Sequence, residues 1–522
     1  MLPSDKVLKV MAKHPTVKIQ KLCLLDLPVE LLDKIISEPF STLPKARLLS
    51  STCRVLRNVG ARHIFGQRTL AIELELDDLK RTRSEANPVS YLFGVALRAR
   101  AKFLATTQFL LKRPDLTRSL RRLFITNHWS STLLQTWVHV ERFDIKAMEP
   151  TFYTPILQDL GRIICASYNL TTLTFAGIDI CVELLCAFSQ IGSLHSVTYR
   201  QCQFAPETMT VIDQASISPT VLNLELGIDE GLESRNQWIT LLLYPQLRTL
   251  LVRGSSRSGF SNPVQSLQQQ CNLFRTLERV YFCYFNDLHV AEFSTWLREA
   301  ATVGPGLRLT HFKLHTERGL NELEVFQLLD ALRLAPLEVL ALDGLQFGDV
   351  ELIDLIAEIF PNLLGLTLVL RHNYRQTATK LSAWPHPSWE YAPHIASFNR
   401  LCHFGWNFMY PTFDPTPSVM MQFENDFTTG ETGLWEDDPY FEDDRLMALL
   451  FAVHCATLQT FAIVDTSICV ACWISRMPNG RLQIDDDLTR SFSDRMVLEQ
   501  RWNPSYGAWP PIFPEGNPVE WL

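Results

Sequence analysis

Two groups of residues have types and spacing that could bind a metal ion or carry redox chemistry. Cys469 and Cys472, in the stretch CVAC, have the spacing of a redox pair or of half a zinc site. The second group consists of histidines separated by 14, 8 and 9 residues: His372, His386, His394 and His403. Those intervals match no familiar metal site, and CVAC has neither a second cysteine pair nor a matching histidine. We therefore expect a buried strand at CVAC, no metal site and no cofactor.

Enzymatic motifs are also missing from the sequence. It contains no phosphate-binding P-loop, no dinucleotide fingerprint, no zinc-protease helix and no nucleophile elbow. The stretch from Gly254 to Pro263 is rich in glycine and serine, but no lysine-bearing helix start follows it, so we expect a loop. The sequence therefore predicts a non-catalytic protein.

Composition indicates a folded protein inside the cell. The 522 residues are 47% apolar and 20% charged, which argues against a disordered chain. No apolar run approaches the roughly 20 residues of a membrane span, and the N-terminus lacks the features of a secretory signal. Twelve irregularly spaced cysteines favour a reducing compartment. We expect a protein of the cytoplasm, the nucleus or both, without membrane or nucleic-acid partners.

Charge is distributed unevenly along the chain. Residues 1–125 contain 23 Lys and Arg against 11 Asp and Glu, whereas the remainder contains 25 against 45. A basic N-terminal part attached to an acidic body is compatible with an acidic partner at that end. Two differently solvated halves would give the same totals.

The N-terminal part predicts three short helices. Pro28 suits a first helical turn, and Glu30 suits the positive helix start. Pro39 ends this helix, Pro44 opens a second, and Thr52 is a candidate N-cap of a third. Three helices in roughly 40 residues rarely fold stably alone, so they need a partner surface.

The order of apolar residues in these helices resembles an F-box, over residues 22–68. It departs from that pattern at Leu56, where many members carry Trp, and in the connection from Ser37 to Leu43. The resemblance implies docking onto the Skp-type adaptor of cullin-containing ubiquitin ligases. The residues that would carry the docking are Leu27, Pro28, Leu31, Leu32, Ile35, Ile36, Leu48 and Leu56. A helical cap that closes the rest of the fold is the alternative.

Beyond the first 120 residues, a pattern of apolar-x-x-apolar-x-apolar recurs. Its copies begin at Leu120, Val140, Leu170, Leu194, Val221, Leu247, Leu277, Leu309, Leu337 and Leu363, with weaker copies at Leu401 and Leu458. Steps of 20 to 32 residues between the first ten copies centre on the length of a leucine-rich repeat. The intervening segments have helical periodicity, with Asn321 and Glu324 at the spacing of a capping box and Asp349 as another cap.

We therefore predict an α/β repeat fold. An N-terminal three-helix F-box precedes a right-handed leucine-rich-repeat solenoid whose parallel strands line the concave face. The predicted segments are a flexible basic N-terminus (1–21), the F-box (22–68), a linker and N-terminal cap (69–119), the repeats (120–372), an irregular acidic and aromatic excursion (373–445), and last strands with a C-terminal cap (446–522). Asn479-Gly480 predicts a hairpin in the last segment.

Basic residues are concentrated on the predicted concave face. Because strand side chains alternate, the third, fifth and seventh residues of each copy share that face. The bases at these places are Arg122, Arg142, Lys146, Arg200, Arg253, Arg279 and Lys313. His315 also occupies a seventh place, and the acids Asp144, Glu225 and Asp343 oppose the bases. We hypothesise that this face captures an acidic or phosphorylated segment of a protein substrate; simple solvation of the strands, with local pairing to acids, is the alternative.

Together these features predict a substrate-recognition subunit of a Skp–cullin–F-box ubiquitin ligase. Two other functions stay open at this point. One is a scaffold that binds the adaptor without delivering a substrate, and the other is a leucine-rich-repeat interaction module without a role in ubiquitination.

Overall fold

The structure is a computed structural model of the 522-residue chain. It describes residues 27–29, 31–32, 51–75, 77–78, 81, 87–129, 145–204, 220–228, 238–254, 259–271, 273–302, 306–371, 384–386, 388–407, 444–464 and 469–486. The predicted N-terminal segment 1–21 and the tail 487–522 lie outside these residues.

A single sheet runs through the described part of the chain, with its 14 strands in sequence order. Strands β1 to β12 pair in parallel, and β12, β13 and β14 pair antiparallel. The strands are β1 (Gln67–Ile72), β2 (Arg122–Asn127), β3 (Thr172–Ala176), β4 (Ser196–Arg200), β5 (Asn223–Gly227), β6 (Thr249–Arg253), β7 (Arg279–Phe285), β8 (His311–Leu320), β9 (Val339–Leu345), β10 (Gly365–Leu370), β11 (His403–Trp406), β12 (Thr460–Val464), β13 (Cys469–Arg476) and β14 (Leu482–Asp486).

Helices connect most of these strands. They are α1 (Arg54–Phe65), α2 (Pro88–Leu111), α3 (Pro114–Ser119), α4 (Ile145–Met148), α5 (Thr154–Ala166), α6 (Val182–Ser189), α7 (Thr240–Leu243), α8 (Gln265–Gln270), α9 (Val290–Thr302), α10 (Glu322–Leu332), α11 (Val350–Ile359), α12 (Ser388–Tyr391) and α13 (Asp444–His454). Short 3-10 turns occupy Leu273–Arg275, Asp287–His289 and Ala392–Ser397. Alternation of helix and parallel strand in sequence order confirms an α/β solenoid-like architecture.

The repeated apolar pattern explains why the strands form where they do. Each described strand from β2 to β12 begins two residues after the first apolar residue of its copy, as in Leu120 with Arg122 and Leu337 with Val339. Alternate side chains such as Leu123 and Ile125 are then directed into the continuous core that also includes the helices. We call the other sheet face, which carries Arg122 and its equivalents, the concave face.

Helix caps agree with the sequence in one case and differ in detail in another. At α10, the Asn321 side chain accepts a hydrogen bond from Glu324 N, and the Glu324 side chain accepts one from Asn321 N, at 3.0 and 2.9 Å. The predicted capping box is therefore confirmed. Asp349 is the N-cap residue of α11 with an extended backbone, but its side chain makes no cap hydrogen bond and contacts His386 instead, at 3.5 Å.

The sheet is longer than the predicted repeat segment at both ends. Strand β1 lies inside the segments predicted as F-box and linker, and β11 lies inside the segment 373–445 predicted as an excursion. The copy at Val140 contributes no strand between its neighbours, because β2 pairs directly with β3. That interpretation was wrong: residues 145–148 form helix α4, and 140–144 lie outside the described residues.

Two asparagines that the repeat pattern did not single out satisfy backbone groups where strands end. Asn127 Nδ2 donates to Gly177 O at 2.9 Å, and Asn407 Nδ2 donates to Leu370 O at 2.6 Å. The Cys202 thiol donates to Phe175 O at 3.5 Å in the same manner. Buried carbonyls of the turns thereby keep hydrogen-bond partners.

The C-terminal strands confirm two predictions. CVAC opens strand β13, as predicted, and Cys472 is buried there. Strands β13 and β14 form the predicted hairpin, in which Gly480 takes a φ of 81° that favours glycine.

Candidate functional site

Three of the predicted adaptor-docking leucines belong to a small apolar cluster that touches the solenoid core through Phe65. Leu32 and Leu56 are buried there with Val59 and Ile64. Leu27, Cys53 and Phe65 pack around them as partly buried neighbours. We call these seven residues the N-terminal cluster. Leu32 and Leu56 therefore stabilise the helices, and their side chains have little surface left for a partner.

Other apolar side chains of the same region remain in solvent. Leu31 is 47% exposed although Leu32 beside it is 1% exposed, and Val29 and Val55 are exposed as well. Pro28 also lies at the surface. Of the remaining predicted docking residues, Ile35, Ile36 and Leu48 lie outside the described part of the chain, as does the second predicted helix. The structure thus describes α1 and a short helical segment, and not a three-helix domain.

The start of α1 differs by one residue from the prediction. Cys53, rather than Thr52, is the N-cap residue, with an extended backbone at φ −154° and ψ 167°. Its Sγ accepts a hydrogen bond from Leu56 N at 3.5 Å. At the other end of the helix, the Arg68 guanidinium lies 5.0 Å from the Phe65 ring centroid, a cation–π contact between α1 and β1.

On the concave face, one cross-strand row contains several titratable residues of neighbouring repeats. The row consists of the seventh residues of successive repeat copies, which lie beside one another because the strands are parallel and in register. Its members in order are Arg200, Gly227, Arg253, Cys283, His315, Asp343 and Val369. We call it the seventh-place row. The seventh places predict a ladder of Lys146, Arg200, Arg253 and His315. The last three lie in this row, separated by Gly227 and Cys283, whereas Lys146 lies on a helix.

Arg200 is paired with an acid of the same sheet. Its Nε donates to Glu225 Oε1 at 3.1 Å, and Thr198 Oγ1 donates to Glu225 Oε2 at 3.2 Å. Burial raises the pKa of the Glu225 carboxyl, although the charges of Arg200 and Arg253 oppose that shift. The positive charge of Arg200 is therefore balanced within the sheet by the Glu225 carboxyl.

Cys283, His315 and Asp343, the later members of the row, form a second group of contacting polar side chains, which Arg371 joins. The Cys283 thiol lies 3.7 Å from His315 Nδ1, and the Arg371 guanidinium donates two hydrogen bonds to Asp343, one of them 3.0 Å between Nη2 and Oδ2. Burial opposes ionisation of Asp343, but Arg371 and then His315 hold the pKa of this carboxyl below its ordinary value. Cations here are matched by a buried carboxylate.

Cys283 and His315 shift each other's titration. Burial raises the pKa of a thiol, yet the contact with His315 and the charge of Arg253 bring the pKa of Cys283 below its ordinary value. Burial lowers the pKa of an imidazole, yet Asp343 and Cys283 raise the pKa of His315 above its ordinary value. Both side chains are buried, so this thiol and imidazole are enclosed groups rather than an accessible nucleophile and base.

Lys313 is the clearest departure from the predicted cationic surface. Its side chain is fully buried, and burial lowers its pKa well below the ordinary value of a lysine. Two residues earlier on β8, burial lowers the pKa of His311 to about 3. Because both side chains are buried, neither presents its polar group at the surface of the concave face.

The other predicted bases are dispersed. Lys146 lies on α4 rather than on a strand, and its ammonium group is paired with Asp179. Arg122 and Arg279 lie on β2 and β7 and are half-buried. Arg142 is outside the described residues. The structure therefore places four of the predicted bases within the run of strands from β4 to β8, and none of the four is fully exposed: Arg200, Arg253, Arg279 and Lys313.

The histidine group has no common centre. His386 contacts Asp349 and Glu390, His394 contacts Asp354, and His403 Nδ1 lies 2.7 Å from Thr460 Oγ1. His372 lies outside the described residues. Among those that the structure describes, no group of three or more His, Cys, Asp and Glu side chains could hold a metal ion. Within the same residues, no helix is long and apolar enough to cross a membrane.

Sequence reasoning missed Cys283 and Arg371 as members of this charged face. Cys283 could have been found, because it occupies the seventh place of the copy at Leu277, as Arg253 does in the copy at Leu247. Arg371 follows β10 and reaches Asp343 by the length of its side chain, which the strand pattern does not encode.

Comparison with known proteins gives little beyond this geometry. No family model matches the sequence, and the search of curated proteins gives no match. Among solved structures, the chain is similar to one titled "Crystal structure of TLR13-ssRNA13 complex", with 12% identity, a TM-score of 0.29, and coverage of 56% of this chain and 36% of that chain. This chain thus spans little more than a third of that structure. The strand order and helix positions described above are what establish the repeat architecture.

Proposed function

We propose that this chain is a non-catalytic recognition subunit of a Skp–cullin–F-box ubiquitin ligase. The N-terminal helical region docks onto the adaptor, and the solenoid binds a protein target. The observation that carries the proposal is the exposure of Leu31 and Val29 beside the buried Leu32. An apolar helix surface that the described part of the chain leaves in solvent is suited to burial by another protein.

The resemblance of residues 22–68 to an F-box supplies the identity of that partner. The exposed Leu31 belongs to the residues that the resemblance assigns to docking, whereas the buried Leu32 and Leu56 would hold the docking helix in position. The N-terminal cluster is small, and binding of an adaptor would add the apolar burial that it lacks.

The solenoid supports the second half of the proposal in a general way. A long sheet with helices on one face offers an extended surface for a protein target. The prediction of an acidic or phosphorylated target has little support from the concave face, because Arg200 is paired with Glu225 and Lys313 is buried. The target is therefore proposed as a protein segment without that charge requirement.

The decisive experiment is co-purification with a Skp-type adaptor and cullin. Leu31→Asp should abolish recovery of the adaptor, because it places a charge in the buried interface. Leu334→Asp is the matched control, since Leu334 is an exposed leucine just after α10. The control should leave recovery unchanged. Equal recovery by wild type and Leu31→Asp would overturn docking by this surface.

Recovery of the adaptor alone does not separate a ligase subunit from a scaffold. A ligase subunit should bring cullin into the complex and shorten the lifetime of a bound protein. Stabilisation of that protein by Leu31→Asp, but not by Leu334→Asp, is the expected result. A bound protein whose lifetime is unaffected would favour a scaffold.

A further inference from the structure

The strand ends of consecutive repeats place exposed apolar side chains along one edge of the solenoid. Leu288 follows β7 and is 68% exposed, and Leu323 follows β8 and is 65% exposed. Phe326, one helical turn after Leu323, is 39% exposed and packs edge-on against Phe347, which follows β9, with ring centroids 6.1 Å apart. We call these four residues the apolar edge.

The members of the apolar edge are neighbours because the repeats are neighbours. Strands β7, β8 and β9 are adjacent and parallel, so their carboxyl ends lie on the same edge of the sheet. Local structure then directs the chain outward. Asn286 Oδ1 accepts a hydrogen bond from Leu288 N at 3.1 Å, and the capping box of Asn321 fixes the start of α10. Two consecutive repeats thus present a leucine just after the strand.

Backbone geometry keeps these turns in place. Gly319 and Gly344 take φ values of 104° and 110°, a region in which other residues are strained. A Cβ atom on Gly344 would lie 2.4 Å from Thr316 Oγ1. The approach of β8 to β9 at this edge therefore depends on glycine.

Carboxylates surround the apolar edge. The first turns of α9, α10 and α11 contain Glu292, Glu322 and Glu351, which are exposed, and Asp287 and Asp349 lie just before them. Electrostatic coupling shows how close these groups are. Burial raises the pKa of Glu324, and the Asp287 carboxylate of the preceding repeat adds to this shift.

The acidic character continues into the next repeat. Burial raises the pKa of Tyr391, and the carboxylates of Asp349, Glu390 and Glu351 add to the shift. The histidines of this edge are themselves paired with acids, His289 with Glu292 at 3.2 Å and His386 with Glu390 at 3.0 Å. Each helix start contributes only about half a positive charge, so the described carboxylates outweigh the helix starts at this edge.

Helix stabilisation explains the acids in part, but it does not explain the leucines. Carboxylates in a first helical turn are favourable for the helix, and a short polar residue would serve at 288 and 323 equally well. Exposed leucines within a rim of opposite polarity are typical of a protein-binding surface. A negative rim repels nucleic acid and anionic membranes and attracts lysine and arginine.

We propose that the apolar edge, with its carboxylate rim, binds a basic amphipathic segment of a partner protein. The partner places apolar side chains on Leu288, Leu323 and Phe326 and basic side chains on Glu322 and Glu351. The inference shares with the proposed function only the general role of protein binding, because the apolar edge and the N-terminal cluster are different surfaces.

The test measures binding of a fluorescent synthetic peptide to the full chain without adaptor. The peptide contains leucines and lysines patterned as an amphipathic helix, and a matched peptide contains glutamate in place of lysine. The Leu/Lys peptide should bind, more weakly as salt is raised, and the Leu/Glu peptide should not. The double variant Leu288→Asp with Leu323→Asp should weaken binding about tenfold or more.

Two control variants make the result specific. Leu334→Asp adds a charge at an exposed leucine at the opposite end of α10 and should bind as wild type does. Glu322→Lys with Glu351→Lys should weaken binding without loss of thermal stability beyond a few degrees, since both side chains are exposed. Absence of Leu/Lys binding, or equal weakening by Leu334→Asp, would overturn the proposal.

A second outcome would overturn it in another way. If the chain forms dimers that dissociate in the Leu288→Asp with Leu323→Asp variant, measured by sedimentation, the edge is covered by a second copy of this chain. Adaptor co-purification is independent of both results, so failure of this inference leaves the docking proposal standing, and the reverse also holds.

Discussion

The N-terminal cluster and the solenoid core use the same residue types but reach different degrees of burial. In the solenoid, Leu340, Leu342 and Leu366 are fully buried because each repeat is covered by the repeats on both sides. In the N-terminal region, Leu32 is buried while Leu31 and Val29 remain exposed. Complete burial in the solenoid therefore depends on neighbouring repeats, whereas the described N-terminal residues leave Leu31 and Val29 in solvent.

The largest expected effect is the loss of stability when a buried side chain of the solenoid core is removed. Phe282 is buried on β7 and packs against a group of aromatic rings: Trp238, Phe260, Phe285 and Phe293. Phe282→Ala should lower the free energy of unfolding by about 3–5 kcal/mol, since it removes these contacts and leaves a cavity. Urea unfolding followed by circular dichroism measures the change.

Leu334→Ala is the control for that experiment, because Leu334 is an exposed leucine of the same solenoid. It should change the free energy of unfolding by less than about 0.5 kcal/mol. A loss below about 1 kcal/mol for Phe282→Ala would mean that the repeats do not cover one another as described.

The concave face is an intermediate case, buried but polar. Asp343→Asn leaves the Arg371 guanidinium with a weaker partner in a largely buried position, and should cost about 2–4 kcal/mol. Arg371→Gln should cost less in the Asp343→Asn background than in the wild type. A double-mutant cycle by urea unfolding measures this coupling. Additive effects of the two substitutions would show that the pair is not coupled.

Sequence predicted the solenoid well because its signal is redundant. The same apolar pattern recurs in every repeat, so loss of the copy at Val140 did not affect the positions of β2 and β3. The copy was a false match, because a short apolar pattern does not by itself identify a strand. Capping at Asn321 was predictable for a related reason: both partners of a capping box lie within four residues.

The candidate sites were predicted less well because their contacts join distant parts of the chain. The sequence places Arg200 and Glu225 on the same face, but whether they pair or face solvent depends on register and side-chain reach. The same limit applies to Arg371 with Asp343. Burial of Lys313 follows from its surroundings on the sheet and not from its own repeat copy.

Exposure of the apolar edge was also not predictable from the sequence. Leu288 and Leu323 fit the helical periodicity of their segments, so the sequence gives no sign that they are exposed. Only the positions of β7, β8 and their helices show that two repeats direct a leucine outward at the same edge.

The smallest expected effects concern Leu31 and Leu32, two adjacent leucines of the N-terminal region that differ in burial. Leu32→Ala should destabilise the N-terminal cluster by about 2–3 kcal/mol, because Leu32 packs against buried partners. Of the seven residues of the cluster, Phe65 alone also packs against the solenoid core, so the cluster should open locally, with little change in global unfolding. Amide hydrogen exchange of α1 (Arg54–Phe65) measures this opening and should accelerate by about 30-fold or more.

Leu31→Ala should leave that exchange rate within about twofold of wild type, because the side chain is 47% exposed and loses little burial. The same substitution should weaken adaptor binding about tenfold, since the proposed interface would bury the leucine. The pair of variants thus separates stability from docking at neighbouring positions. If Leu31→Ala accelerates exchange as much as Leu32→Ala does, both leucines belong to the cluster, and the exposed surface proposed for the adaptor would not exist.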